Sequence, residues 1–310
     1  MQSTPKAAPY LRAKETSIFM TWKKTAALLP LVLAAVVFYR LPAILLLSTA
    51  VASALLAELF CRFLFQAKPA LADGNSVLTG LLVAFVVPAG LPLWSVAVGA
   101  FFAVAIGSEG FGGSGHSPVP AVAAGYLFML VSFPLAMRHS LAPGSLQPDA
   151  MPLVWMKEGA LDNLPGWVDM LMGRVSGSLG TVFFPAVLLS AVMLLSQRII
   201  FWEMPFLYLA AVGLTAFGFG EDPFLAMFLG TPFFAAFFIV PDSLTAPHHR
   251  HGVRFFSLFA GALTVVFRHT SFAFDPALTA IFLCSFLSSW LDEAGRPEQR
   301  KPQVFAGEKA

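Results

Sequence analysis

Residues 75–134 read NSVLTGLLVAFVVPAGLPLWSVAVGAFFAVAIGSEGFGGSGHSPVPAVAAGYLFMLVSFP. Two apolar runs, 75–88 and 92–106, are joined by a hinge at Pro88, Gly90 and Pro92, and a third run, 119–136, follows a glycine-rich knot. The first two runs are short for a bilayer, which needs roughly 20 helical residues to cross. Short paired segments interrupted by Gly and Pro are the mark of broken or re-entrant membrane helices. Backbone groups freed by such breaks are tolerable only against protein or a wet cavity. The stretch therefore predicts a functional centre inside the membrane, built on broken helices.

The rest of the chain agrees with a membrane setting. Of its 310 residues 57% are hydrophobic and 12% charged, where a soluble domain carries about 25% charge. Phe alone contributes 32 residues, as lipid-facing helices allow, and the mean hydropathy is +0.76. Cys61 and Cys284 form neither a disulfide framework nor, by themselves, a thiolate metal site. A net charge of +2 gives no argument for a nucleic-acid partner, and none is expected. Residues 1–24 are polar and basic, without the apolar core of a signal peptide.

In order, apolar runs fall at 25–39, 41–60, 75–88, 92–106 and 119–136. A polar stretch covers 137–175. Five further runs follow at 181–195, 199–217, 223–240, 253–267 and 276–291. The expected fold is all-α and polytopic, with about ten transmembrane helices. With ten crossings and the N-terminus inside, fourteen of the nineteen Lys and Arg lie on the inner side. That bias puts both termini in the cytoplasm and the polar stretch outside. LLVAFVVP at 81–88 and FAAFFIVP at 234–241 each end the third run of a set of five. Five is odd, so the second set enters from the opposite face, giving two inverted five-helix repeats with any site at their interface. The organisation expected is a tail at 1–24, repeats at 25–136 and 176–291 flanking a loop at 137–175, and a tail at 292–310.

Several features could carry chemistry. The knot GSEGFGGSG at 107–115 could form a nest of backbone N–H groups for a phosphate or flavin, or simply a close-packed bend. It is no Rossmann fingerprint, because no βαβ unit surrounds it. Ionisable groups near membrane segments are usually functional, and the candidates are Glu58, Glu109, Glu203 and Asp242. Glu58 and Glu203 sit at run ends and are expected to reach water. Asp242 follows Pro241 at the second hinge and suits a site or a cap equally. His248, His249 and His251 with Arg250 read as a basic inner loop rather than a metal site, since no Cys completes a ligand set.

The chain also resembles a known family. DGNSVLTGLLVAFVVP at 73–88 with LPLWSVAVGAFFAVAIG at 91–107 is similar to the D subunit of Rnf complexes and the B subunit of the sodium-pumping NADH:quinone reductase. FGG at 111–113, GYLFMLVSFP at 125–134, APYLRAKETSIFM near the N-terminus, GSLG at 177–180 and FFAAFFIVPDSLTAP at 233–247 continue the resemblance. It implies a fold like that of urea and ammonium channels, and a subunit that carries flavin within an ion-translocating electron-transfer complex in the inner membrane. Asp242 matches a family Asp.

In the family, a Thr in a Thr-Pro-Leu motif before the sixth span is esterified to FMN. The matching stretch here is DAMPL, with Met151 at the Thr position, and a thioether cannot form a phosphoester. The family's Glu-Thr-Ser after GSLG is replaced by Thr181, Val182 and Phe183, and GHSPVPA at 115–121 stands where the family is Asn-rich. Covalent FMN is therefore not expected, whereas noncovalent FMN, riboflavin or quinone is. The expected binding residues lie around the two hinges: Asn75, Thr79, Pro88, Gly112, Gly113 and Asp242. No catalytic residue and no metal ligand is expected. A channel, transporter or scaffold without a redox group, on the same fold, is the other reading.

Overall fold

The computed structural model describes residues 17–66, 71–113, 117–157, 166–173, 175–181, 183–242, 247, 250–270 and 276–294. Among these, helices dominate: α1 (Ser17–Ala27), α2 (Leu29–Tyr39), α3 (Leu41–Leu64), α4 (Asn75–Val86), α5 (Leu93–Ala105) and α6 (Ala121–Ser132) precede the polar stretch. That stretch holds a two-stranded antiparallel hairpin, β1 (His139–Leu141) with β2 (Pro148–Ala150), and two short helices, α7 (Pro152–Lys157) and α8 (Trp167–Leu171). Then come α9 (Phe184–Ser196), α10 (Glu203–Gly218), α11 (Pro223–Phe228), α12 (Pro232–Phe238), α13 (Arg250–His269) and α14 (Pro276–Ala294). The hairpin corrects the all-α expectation, and it lies wholly within the polar stretch. Helix also begins at Ser17, inside the stretch read as a tail.

Among the described residues, three helical segments are long and apolar enough to cross a bilayer: Ile18–Tyr39, Leu41–Leu64 and Leu93–Phe111. The shorter apolar helices match the interrupted runs. In lipid every backbone polar group needs an internal partner, which is why nearly every apolar run here is helical. The run 223–240 is not one helix. It stops at Phe228 and restarts at Pro232, with Leu229 extended and Gly230 at φ +83° between. The GTP tripeptide at 230–232 is the local cause, because Pro232 has no N–H to return to the preceding turn.

The two halves pack alike. α3 lies against α4 and α5, and α10 lies against α11, α12 and α13; α5 packs on α6 as α13 packs on α14. α2 meets α9 and α6 meets α14 across the halves, while α1 lies on α4 and α9. Close contact comes from small residues, as is usual between membrane helices. A Cβ at Gly261 would sit 2.5 Å from the Tyr208 carbonyl oxygen, so α13 can approach α10 only with glycine there. Beside it, the buried hydroxyls of Tyr208 and Thr264 hydrogen-bond at 2.9 Å. The inner core includes Leu28, Leu46, Phe85, Met129, Phe234 and Phe256, while Leu33, Val37, Phe63, Leu214 and Phe217 point outward, as acyl chains require.

Candidate functional site

α4 ends at Val86 because Val87 turns extended ahead of Pro88, which has no N–H to give. The carbonyls this leaves free are met by a neighbouring loop. Gly180 N–H donates to Phe85 O at 2.8 Å, Leu179 N–H donates to Val87 O at 3.3 Å, and Ser178 pairs with Pro88 as an isolated bridge. A Cβ at Gly180 would lie 2.7 Å from the Phe85 Cβ, so the GSLG motif is what lets this loop dock. Ser140, at the start of the polar hairpin, accepts from Ala89 N–H at 3.2 Å and donates to Gly177 O at 2.6 Å. It joins hinge, loop and hairpin at one buried point.

This junction forms the first of two cavities, about 620 Å³ including its mouth. Pro88, Tyr126, Met151, Ser178, Thr181 and Gly230 are among its lining. Ser178 and Thr181 hydrogen-bond to each other at 2.9 Å, and no described lining residue is charged. Met151 thus presents a thioether to the same space as two hydroxyls.

The second cavity, about 720 Å³, opens beside the other hinge, Ile239–Pro241. Asn75 and Thr79 from α4, Ser108 from the knot, Ser117 just after it, and Asp242 line it, together with Lys24 from α1. Lys24 Nζ lies 3.7 Å from Asp242 Oδ1 and both are partly exposed. Along α4 the two linings are separated by Phe85, whose ring meets Phe234 at 6.1 Å.

Each cavity is backed by a buried charged group. Behind the second, Glu58 accepts from Ser76 Oγ at 2.6 Å, next to Asn75, and pairs with Arg62 at 3.1 Å; Arg62 also reaches Glu109 at 3.3 Å. Behind the first, Arg268 on α13 donates to the carbonyls of Ala226 and Leu229. Glu58 is only 4% exposed, which corrects the expectation that it reaches water. Glu203 keeps that expectation, paired at 3.2 Å with an exposed Arg254.

The structure therefore brings Asn75, Thr79 and Asp242 together, puts Pro88 in the other cavity, and leaves Gly112 and Gly113 in neither. The amides of Phe111, Gly112 and Gly113 are used up in turns to Ser108 and Glu109 carbonyls, so the described part of the knot is a packed bend and not an open nest. Residues 114–116 and 243–246, with His248 and His249, lie outside the described residues. Among the described residues no three candidate metal ligands cluster. Lys24, Arg62, Ser140 and Arg268 were not singled out from the sequence. Glu58 and Arg62 did carry a signal, the i, i+4 spacing of a helical ion pair; Arg268 carried one as a cation closing an apolar run.

These features define a membrane-embedded helical protein with a cavity at each of two helix breaks. The chain matches the NQR2, RnfD, RnfE family over residues 4–301 and belongs to that family. It is 29% identical over 269 residues to the D subunit of a Na(+)-translocating ferredoxin:NAD(+) oxidoreductase complex of Acetobacterium woodii, covering 86% of this chain and 85% of that one. The D subunit of a proton-translocating ferredoxin:NAD(+) oxidoreductase complex of Clostridium ljungdahlii is 26% identical over 313 residues, 95% of each chain. The D subunit of an ion-translocating oxidoreductase complex of Pseudomonas aeruginosa is 32% identical, covering 73% of this chain and 74% of that one.

Proposed function

We propose that this chain is a membrane subunit of an ion-translocating electron-transport complex, and that it holds a flavin or quinone noncovalently in the second cavity. The observation that carries this reading is the meeting of Lys24, Asn75, Thr79 and Asp242 in one space beside a helix break. Family membership and the roles of the relatives support it. Lys24, Asn75 and Thr79 supply donors for ring carbonyls, Asp242 holds Lys24 in place, and Leu78, Leu82 and Phe237 keep water from a planar ring. A flavin bound there would supply the electron-carrying chemistry; the chain's own part is binding, orientation and exclusion of water.

The proposal extends to topology. Ten membrane segments form two inverted repeats, with both termini in the cytoplasm. The like packing of the two halves supports this, as does the placing of one cavity among the loops that share a side with the polar stretch and of the other among the loops that share a side with Lys24. The partners are the lipid bilayer and other membrane subunits of the complex. We also propose that FMN is not attached covalently, because the Met151 side chain offers the first cavity no oxygen. That same observation favours, as a second reading, a channel, transporter or scaffold role without a redox group.

The test is protein purified from cells that also make the flavin transferase. A visible flavin spectrum, released entirely to the supernatant on denaturation, is expected. A fluorescent band after denaturing electrophoresis would overturn the noncovalent assignment. An assembled complex with neither flavin in its visible spectrum nor extractable quinone would favour the second reading.

A further inference from the structure

We infer that Arg268 is a positioning residue for the first cavity: without lining the space, its buried guanidinium holds the Ala226–Gly230 backbone in the shape that makes one lip of it. α11 has six residues and ends at Phe228. The last carbonyls of any helix lack intrahelical partners. In an unbroken helix Ala226 O would accept from residue 230 and Leu229 O from residue 233. The turn at Gly230 and the restart at Pro232 remove those options. A single nitrogen of Arg268, Nη2, stands in for both, donating to Ala226 O at 3.1 Å and to Leu229 O at 3.2 Å. Phe228, Leu229 and Gly230, the residues so held, line the cavity.

A cation costs heavily inside a membrane, and Arg268 is 4% exposed. Its charge is offset by Glu221, whose Oε2 lies 3.9 Å from Nη1. The other oxygen of Glu221 faces His269 Nε2 at 3.3 Å, and the imidazole stacks on Phe219 at 4.4 Å. The arrangement runs from a half-exposed histidine to a cavity wall through charged and hydrogen-bonded contacts. Arginine suits the place because it stays charged when buried and offers fixed, directional N–H groups. A plain packing role needs neither the charge nor two carbonyls on one nitrogen.

The test uses the full chain in membranes, with Cys61→Ser and Cys284→Ser removing the native thiols. One reporter is Met151→Cys in the first cavity, and a separate one is Thr79→Cys in the second. Labelling by N-ethylmaleimide is followed with and without Arg268→Met. The expected result is labelling at position 151 faster by about tenfold, the scale set by losing a buried hydrogen bond, with the rate at position 79 unchanged. Arg268→Lys, which keeps a charged donor, restores much of the slow rate at 151. Equal acceleration at both reporters would mean general loosening and overturn the inference. So would an unchanged rate at 151, or Arg268→Lys as fast as Arg268→Met. Should Arg268→Met not fold, Arg268→Lys and Glu221→Gln carry the test, each expected to quicken labelling at 151 alone. The readout is backbone order, so a protein that binds no flavin yet shows the split response sinks only the cofactor proposal.

Discussion

The break after α4 and the break between α11 and α12 solve one problem in two ways. Both interrupt an apolar run inside the membrane, and both leave carbonyls that lipid cannot satisfy. After α4 the partners are backbone amides, Leu179 and Gly180, delivered by a glycine-bearing loop. Between α11 and α12 the partner is a side chain, Arg268, delivered by a helix distant in sequence. The first solution is neutral and depends on close approach. The second brings a charge into the interior and therefore needs Glu221 as well. The contrast extends to the cavities, since the first has an uncharged described lining and the second is crossed by the Lys24–Asp242 pair. A membrane fold can thus keep the same kind of opening while changing the chemistry around it.

The largest effect that would sharpen this contrast comes from the charged cluster behind the second cavity. Arg62→Met leaves Glu58 and Glu109 buried together without their cation. The expected loss is about 3–5 kcal/mol, the usual cost of removing one partner from a buried ion pair. Thermal unfolding in detergent measures it, and adding Glu58→Gln should recover part of the loss. A change too small to detect would mean that water reaches the cluster, and that of the two charged groups only Arg268 is kept from water.

Gly180→Ala comes next. Its new methyl meets the Phe85 Cβ at 2.7 Å and the Phe85 carbonyl at 3.0 Å, and backbone cannot step aside cheaply. Overpacking of this kind costs about 1–3 kcal/mol. Stability should fall by that amount, and labelling of Met151→Cys should quicken while labelling of Thr79→Cys does not. If both cavities loosen equally, the backbone-held break is not local to the first.

Lys24→Met should barely touch stability. The pair with Asp242 is partly exposed, and such pairs are worth about 0–1 kcal/mol. Flavin or quinone retention by the purified protein should nonetheless fall, because the cavity loses its only cation among the described lining residues. Unchanged retention would move the ligand site away from the second cavity.

The smallest expected effect is none. Met151→Thr restores a hydroxyl to the first cavity, but Thr181, Val182 and Phe183 still stand where the family resemblance places Glu-Thr-Ser. Denaturing electrophoresis should therefore still show no fluorescent band. A band would mean that the cavity accepts the attachment chemistry once an oxygen is supplied.

What the sequence by itself determined follows from local rules. Hydropathy declares the membrane, because twenty-odd apolar residues have few other uses. Pro88 ends α4 through its own missing N–H, and the matched FVVP and FIVP endings mark two hinges before any contact is known. Of the six expected binding residues, Asp242 sits at the hinge of its cavity, while Asn75 and Thr79 join it from the start of α4, the end away from Pro88. Tertiary structure alone decided the rest. Pro88 goes to the opposite cavity because its partner is Ser178, ninety residues later, and nothing local fixes that pairing. Gly112 and Gly113 look like a nest until their neighbours' carbonyls take the amides. Glu58 at a run end looks solvated until Arg62, Ser76 and Glu109 close over it. The break at Leu229–Thr231 passes as continuous hydropathy, because hydropathy records which side chains tolerate lipid. Whether a backbone carbonyl has a donor depends on a residue from another helix, here Arg268, and only the folded chain brings it there.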